Sequence, residues 1–271
     1  EDEDVRRDMS CVNWKWVLGP DGKNIPELAG PNDWYFGKFR LEWQTKSPYN
    51  GGNDDGIKPV YMRYADILLM AAEIANDPAC GQRDEAYAKK CLLEVRKRAY
   101  KGNEGLATAY VNGLSGQQAI FNAIVDERAL EFVGEMLRKQ DLIRWGMLKS
   151  KMDDAQAELK KYIERTEQYA GFGPAVWYRY NADNTIELYG YNEPATKDVA
   201  PEGEGWICYE SKDYFKFTSE NKETGEVSLS ESAQKKLDSF YDVDPDTKQW
   251  WPIPEATLVN SQGTLFNDYG Y

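Results

Sequence analysis

The stretch Tyr61-Met-Arg-Tyr-Ala-Asp-Ile-Leu-Leu-Met-Ala-Ala-Glu-Ile-Ala75 decides the fold. Its apolar run from Ile67 to Ala72 is bracketed by Asp66 and Glu73. The pattern predicts a helix over about 61–76, ending at Asn76-Asp77-Pro78 because proline disfavours helix in its predecessor. At about 15 residues it is too short for the ~20 apolar residues that a bilayer-spanning helix needs.

Three more helices follow from the same reasoning. One covers about 83–100, with Tyr87, Cys91, Val95 and Ala99 on one stripe and Gly102 beyond its end. A third runs from an N-cap at Ser115 to about 133, where Gly134 interrupts it. A fourth continues from about 137 to Ile163, with Leu142, Trp145 and Met152 facing inward. The short link between the first two favours antiparallel neighbours, as in tetratricopeptide-type helix pairs, although the consensus of such repeats is missing.

Outside this helical body the composition changes. Residues 1–60 are rich in turn signals, among them Gly19-Pro20, Asp21-Gly22 and Asn50-Gly51-Gly52. In 168–250, Tyr178-Arg-Tyr180, Ile186-Glu-Leu-Tyr-Gly-Tyr191 and Tyr214-Phe-Lys-Phe217 alternate as short strands do. The segment Trp251-Pro-Ile-Pro-Glu255 reads as extended chain with a helix started by Pro254, a cover closed by Asn267-Asp-Tyr-Gly-Tyr271. The expected fold is therefore mainly α, with helix pairs, long irregular loops and a few short strands. A single region spans 1–271: an aromatic loop segment (1–60), a helical core (61–167), a variable segment (168–250) and a closing segment (251–271).

Composition narrows the function. With 46 acidic against 33 basic residues, the chain is poorly suited to phosphate backbones or anionic membrane surfaces. It has no histidine, which removes the usual general base, the commonest metal ligand and every Ser-His or Cys-His dyad. The cysteines, at positions 11, 80, 91 and 208, form no Cys-x-x-Cys pair. Cys80 and Cys91 lie ~12 Å or more apart if the helix between them forms, too far for a disulfide. Cys11 and Cys208 leave two readings open, a bridge or isolated thiols.

Acidic pairs invite a glycosidase reading, which needs two carboxylates ~5–5.5 or ~6.5–9.5 Å apart. Asp126, Glu127 and Glu131 share a helix with Arg128, however, and Glu127 and Glu131 fall on one face, so a salt-bridge network is the reading preferred. Arg63–Asp66 and Asp141–Arg144 are expected to pair locally at i, i+3. Asn53-Asp54-Asp55-Gly56 and Asp242-Val-Asp-Pro-Asp246 do not fit a calcium loop and read as solvated turns. No phosphate-cradling or nucleophile motif is present, so no catalytic residue, metal or cofactor is expected.

The rings are the distinctive feature. Tyr and Trp together outnumber Phe three to one, and eight of nine tryptophans lie outside 61–167. Two roles fit. Rings on irregular chain can form a platform for sugars, whose C–H faces pack on aromatic surface at little entropic cost to stiff side chains. They can equally pin loops onto a helical body.

Four stretches taken in order resemble the SusD/RagB family of surface glycan-binding lipoproteins. They are Arg63 to Glu73; Leu93-Glu-Val-Arg-Lys-Arg-Ala99; Glu127-Arg128 with Glu131-Phe132, Asp141-Leu142 and Arg144-Trp145; and Trp251 to Glu255 with Gly270-Tyr271. Asp4-Val-Arg-Arg-Asp8 is similar to the family's Asp-Pro-Arg-Arg segment, with Val5 for the proline, and Gly134-Glu135 stands where the family has Glu-Gly. The resemblance implies tetratricopeptide-like helix pairs, a lipid anchor on an N-terminal half absent from this chain, and a place on the outer membrane of a Gram-negative cell. It also implies non-catalytic capture of oligosaccharide or polysaccharide for a TonB-dependent, SusC-like outer-membrane barrel; a carboxylate-pair hydrolase and a peptide-binding scaffold are the alternatives. The matched motifs read as packing elements. Sugar contacts are thus sought first at Trp34, Tyr35, Trp14 and Trp43, ahead of Arg63, and then at Trp177, Tyr178 and Trp206.

Overall fold

The computed structural model describes residues 3–20, 22, 24–29, 34–39, 58–164, 166–170, 175–181, 186–190, 195–209, 218–220, 222–225, 227–240 and 243–268. In chain order the helices are α1 (Arg6–Ser10), α2 (Tyr64–Asn76), α3 (Glu85–Ala99), α4 (Glu104–Gly113), α5 (Gln117–Glu131), α6 (Arg138–Arg144), α7 (Leu148–Glu164), α8 (Glu231–Asp238) and α9 (Glu255–Asn260). The strands are β1 (Cys11–Val12), β2 (Trp14–Leu18), β3 (Asn24–Leu28), β4 (Tyr35–Phe36), β5 (Val176–Tyr180), β6 (Ile186–Tyr189), β7 (Ile207–Tyr209), β8 (Thr218–Glu220) and β9 (Val227–Leu229). The fold is mainly α with a few short strands, as expected. Two compact units emerge: Glu1–Asn13 with Asp33–Arg138, and Trp14–Asn32 with Lys139–Tyr271.

In the first unit, α2 stops where Asp77 turns extended ahead of Pro78. The Asp77 carboxylate then caps the following 3-10 turn by accepting from Ala79 N–H at 2.9 Å. Asp84 caps α3 by accepting from Tyr87 N–H at 2.9 Å, and its own N–H donates to Ala75 O at 2.8 Å. The chain thereby reverses, and α3 packs along α2. Leu69 and Leu92, with Ile120 and Ile124 of α5, are fully buried at the centre of this core. Each such side chain is worth about 1.5–3 kcal/mol relative to exposure. On α3 the predicted stripe is buried at Cys91, Val95 and Ala99, whereas Tyr87 is exposed.

Two helical expectations need correction here. Helix α4 was missed; it is amphipathic in a short span, burying Ala107 and Val111 four residues apart. Helix α5 starts one residue later than predicted, after Gly116 at φ +84°, with no side-chain cap from Ser115.

In the second unit the predicted helix 137–163 is two helices, because Gly146 adopts φ +64° and breaks the ladder between α6 and α7. Leu142 and Leu148 are buried, while Trp145 and Met152 are only half-buried. Ile163 of α7 packs with Ala233 and Leu237 of α8, and Ser230 caps α8 by accepting from Ala233 N–H at 3.2 Å. Strand β5 is central to an antiparallel sheet in the order β6-β5-β7, with Trp177 opposite both Tyr189 and Cys208. The hairpin β2–β3 was unforeseen; its register sets Trp14 opposite Leu28 and Trp16 opposite Pro26.

Helix α9 follows Pro254 as expected, and the Asn267 side chain clamps the backbone of Ile253, accepting from its N–H at 2.7 Å and donating to its oxygen at 3.2 Å. Trp251 does not act as a cover: it is 83% exposed, with Lys139 Nζ 4.7 Å from its ring centre. None of the four cysteines forms a disulfide. Among the described residues no helix is long and apolar enough to cross a membrane.

Candidate functional site: an aromatic ledge beside a charge-lined cavity

Glu127 and Glu131, one turn apart on α5, collect cations from four other segments of the first unit. Glu127 accepts from Arg6 Nη1 at 2.7 Å and from Arg96 Nη1 at 2.8 Å, one guanidinium on each oxygen. Glu131 accepts from Arg6 at 3.2 Å and also from Arg63 and Arg98. Glu135 binds Arg63 Nε at 2.8 Å and Lys38 Nζ at 2.6 Å. Arg6 is closed by Asp4, at 2.6 Å from its Nη2. These pairs tie the start of the chain, the segment after β4, α2 and α3 to α5.

Burial and pairing pull the carboxyl groups in opposite directions. Burial raises Glu127 above the ordinary glutamate value, even against the fields of Arg6 and Arg96. For Glu135 burial also works upward, but the hydrogen bonds from Arg63 and Lys38 outweigh it and hold the group low. Arg6 is raised: burial opposes its charge, and the Asp4 hydrogen bond with the Glu127 field more than compensates. Both oxygens of buried Glu127 are occupied by arginines, so it is not placed to protonate a glycosidic oxygen. The network reading holds, with one change of partners. Asp66 pairs with Arg128 at 2.7 Å, not with Arg63, whereas Asp141–Arg144 forms as expected at 3.0 Å.

Beside the network lies a cavity of about 370 Å³. Val5, Met9, Phe39 and Val60 give it apolar walls, and Lys38, Arg63, Arg98, Glu131 and Glu135 give it charged ones. Two residues before Lys38 the chain runs through β4, paired with β1 so that Tyr35 faces Val12 and Phe36 faces Cys11. Trp34, Tyr35 and Phe36 are 46%, 48% and 62% exposed, three adjacent rings in a row. The Phe36 ring rests over Gly134, where a Cβ would come within 2.9 Å of it; φ there is +79°, which also favours glycine. The Gly37 N–H bond to Ser10 O at 2.9 Å ties the ledge down on its other side.

The second unit carries its own rings. Trp14 and Trp16 meet edge to face at 5.1 Å, and Tyr178 and Tyr180 do so at 5.9 Å. Tyr178 is raised by burial first, then by the neighbouring Tyr180 and Glu27. Trp206 is partly exposed, with the Arg179 guanidinium 4.6 Å from its ring centre and its indole N–H on Glu202 O at 3.0 Å.

The family model described as the SusD family matches residues 13–271. The chain belongs to the SusD family. Among individual proteins it is similar to SusD-like protein P25 of Formosa agariphila, with 38% identity over 36% of this chain and 17% of that one. SusD-like protein P2 of the same organism is 30% identical over 35% of this chain and 18% of its own length. The matched segments thus span less than a fifth of either relative. No solved structure matches the chain.

In this SusD-family chain the predicted ring residues part company. Trp34 and Tyr35 share the β4 ledge. Trp14, Tyr178 and Trp206 keep partial exposure in the second unit, and Trp43 lies outside the described residues. Trp177 is corrected: it is 8% exposed, donates its indole N–H to Thr196 O at 2.9 Å and packs with Ala175 and Ala195, so it anchors the sheet and offers no face to a ligand. The residues missed in the sequence are Phe36, Lys38, Phe39 and Arg98. The run Trp34-Tyr-Phe-Gly-Lys-Phe39, dense in rings and holding one cation, was the signal available. Of the two acidic segments read as solvated turns, 53–56 lies outside the described residues, and Asp244 accepts from Asp246 N–H at 3.0 Å to cap a 3-10 turn.

Proposed function

We propose that this chain is the glycan-holding part of a non-catalytic cell-surface protein, which captures oligosaccharide or polysaccharide by aromatic stacking. The observation that carries the reading is the β4 ledge: Trp34, Tyr35 and Phe36 are exposed in a row, and strand pairing and Gly134 hold them in place. Large exposed rings that are already ordered lose little entropy on binding. Membership of the SusD family supports the same role. In the full reading the protein sits on the outer membrane through an N-terminal lipid anchor and passes its glycan to a SusC-like, TonB-dependent barrel. Trp43 belongs to the same proposed site by sequence, and Trp14, Tyr178 and Trp206 form a secondary set.

Affinity electrophoresis of the 271-residue chain through gels containing a panel of polysaccharides tests the reading. At least one polysaccharide is expected to retard the protein. Trp34→Ala and Tyr35→Ala should each weaken that retardation about tenfold, with thermal melting unchanged. Retardation by none, or turnover of a retained glycan, ends the proposal.

A further inference from the structure

The four cations lining the cavity are not equivalent. Arg6 commits Nε, Nη1 and Nη2 to Asp4, Glu127 and Glu131. Arg63 does the same with Glu131 and Glu135, and its guanidinium lies 4.5 Å from the Phe132 ring centre. Both are consumed by the network. Arg98, by contrast, donates only through Nη2 to Glu131 among the described residues, and its side chain is 62% exposed. A guanidinium has five N–H donors, so four remain. Lys38 uses two of its three, on Glu131 O and Glu135 Oε1. Both spare cations touch Glu131, so their remaining donors gather beside one residue.

Charge points the same way. The lining holds four cations against two carboxylates. Counting Arg96, Asp4 and Glu127 behind it, cations still exceed anions, in a chain whose net charge is −13. Charges elsewhere are screened over about 8 Å at physiological ionic strength, so a bound group feels the cavity before the rest of the chain. Spare arginine and lysine donors suit oxyanions, which make shorter and stronger hydrogen bonds than neutral hydroxyls.

We propose that the cavity takes an acidic sugar, the uronate or sulfated unit of an anionic glycan, with its oxyanion on Arg98 and Lys38 and its C–H face on Phe39. The inference rests on the glycan-binding reading of the same site and narrows it to a ligand class. Calorimetric titration of the 271-residue chain with tetragalacturonate, its methyl ester, a sulfated galactan tetrasaccharide and the neutral galactan tetrasaccharide tests it. One of the two acidic ligands should bind at least about tenfold tighter than its neutral counterpart, and which one does distinguishes carboxylate from sulfate. Arg98→Gln and Lys38→Gln should each cost that ligand about tenfold while leaving the neutral counterpart unchanged. Equal affinity for acidic and neutral ligands overturns the inference alone, as does unchanged acidic binding in both folded variants. Binding of none of the four overturns it too, while the glycan reading stands or falls separately with the polysaccharide panel.

Discussion

The two units of this chain are held together by different physics. The first buries aliphatic side chains between helices and adds a cluster of charges: Glu127, Glu131, Arg96 and Arg128 are all nearly inaccessible to water. The second has thinner cores, strands of three to five residues beyond β4, and large rings such as Trp177 packed against small side chains. Removing one member of a buried ion pair leaves its partner uncompensated, whereas disturbing a sheet seam acts through shape. The comparison therefore predicts that charge deletion hurts the first unit most and steric intrusion the second.

The largest effect should come from Glu127→Ala. It removes the buried carboxylate that Arg6 and Arg96 share, and the expected loss is about 3–5 kcal/mol by urea unfolding. A loss below 1 kcal/mol would mean that the guanidiniums find water, and that the first unit relies on its aliphatic core alone.

Next in size is a pair of identical substitutions with opposite signs. Gly190, after β6, sits at φ +103°, and a Cβ there would lie 2.6 Å from Ala175 O and 2.9 Å from Ala195 Cβ. Gly190→Ala should cost about 2–3 kcal/mol. Gly105 in α4 meets nothing within 4 Å of an added Cβ. Gly105→Ala should stabilise by about 0.4–1 kcal/mol through the unfolded chain. Urea midpoints that move in the same direction for both would refute the contrast.

The same division explains what was legible in the sequence. Helices α2, α3 and α5 announce themselves because each residue's burial is set by neighbours three and four positions away. Helix α4 was hidden by Gly102 ahead of it and by Gly105, Asn112 and Gly113 within it, all weak helix formers, so tertiary burial of Ala107 and Val111 decides it. The α6–α7 break has its signal in Gly146, whose φ of +64° ends the ladder. Hairpin β2–β3 carries Pro26, which argues against a strand, yet two-stranded pairing leaves a proline an outward edge. The ring residues divide by the same criterion. Trp34 and Trp177 look alike in sequence, each followed by a tyrosine, and only contacts across the fold leave one exposed and seal the other. For Asp66 the local partner Arg63 was wrong because Arg128, 62 residues on, reaches it through the core.

The smallest effect concerns pH and separates two carboxylates of one network. Glu135 is held below its usual value, near 4.5, so its pairing stabilises the fold above that pH and is lost as the pH falls through the lower folded value. Glu127 is raised by burial, so its contribution is complete below its usual value and declines as the pH rises through the higher folded one. Acidification below about pH 4.5 should therefore weaken the fold through groups of the Glu135 kind, while the Glu127 contribution, already complete there, stays constant. Glu135→Gln removes the first contribution only, and its urea midpoint should fall less between pH 5 and pH 3 than that of the parent chain. Parallel curves for the two proteins would mean that the Lys38 and Arg63 contacts to Glu135 add no acid-sensitive stability.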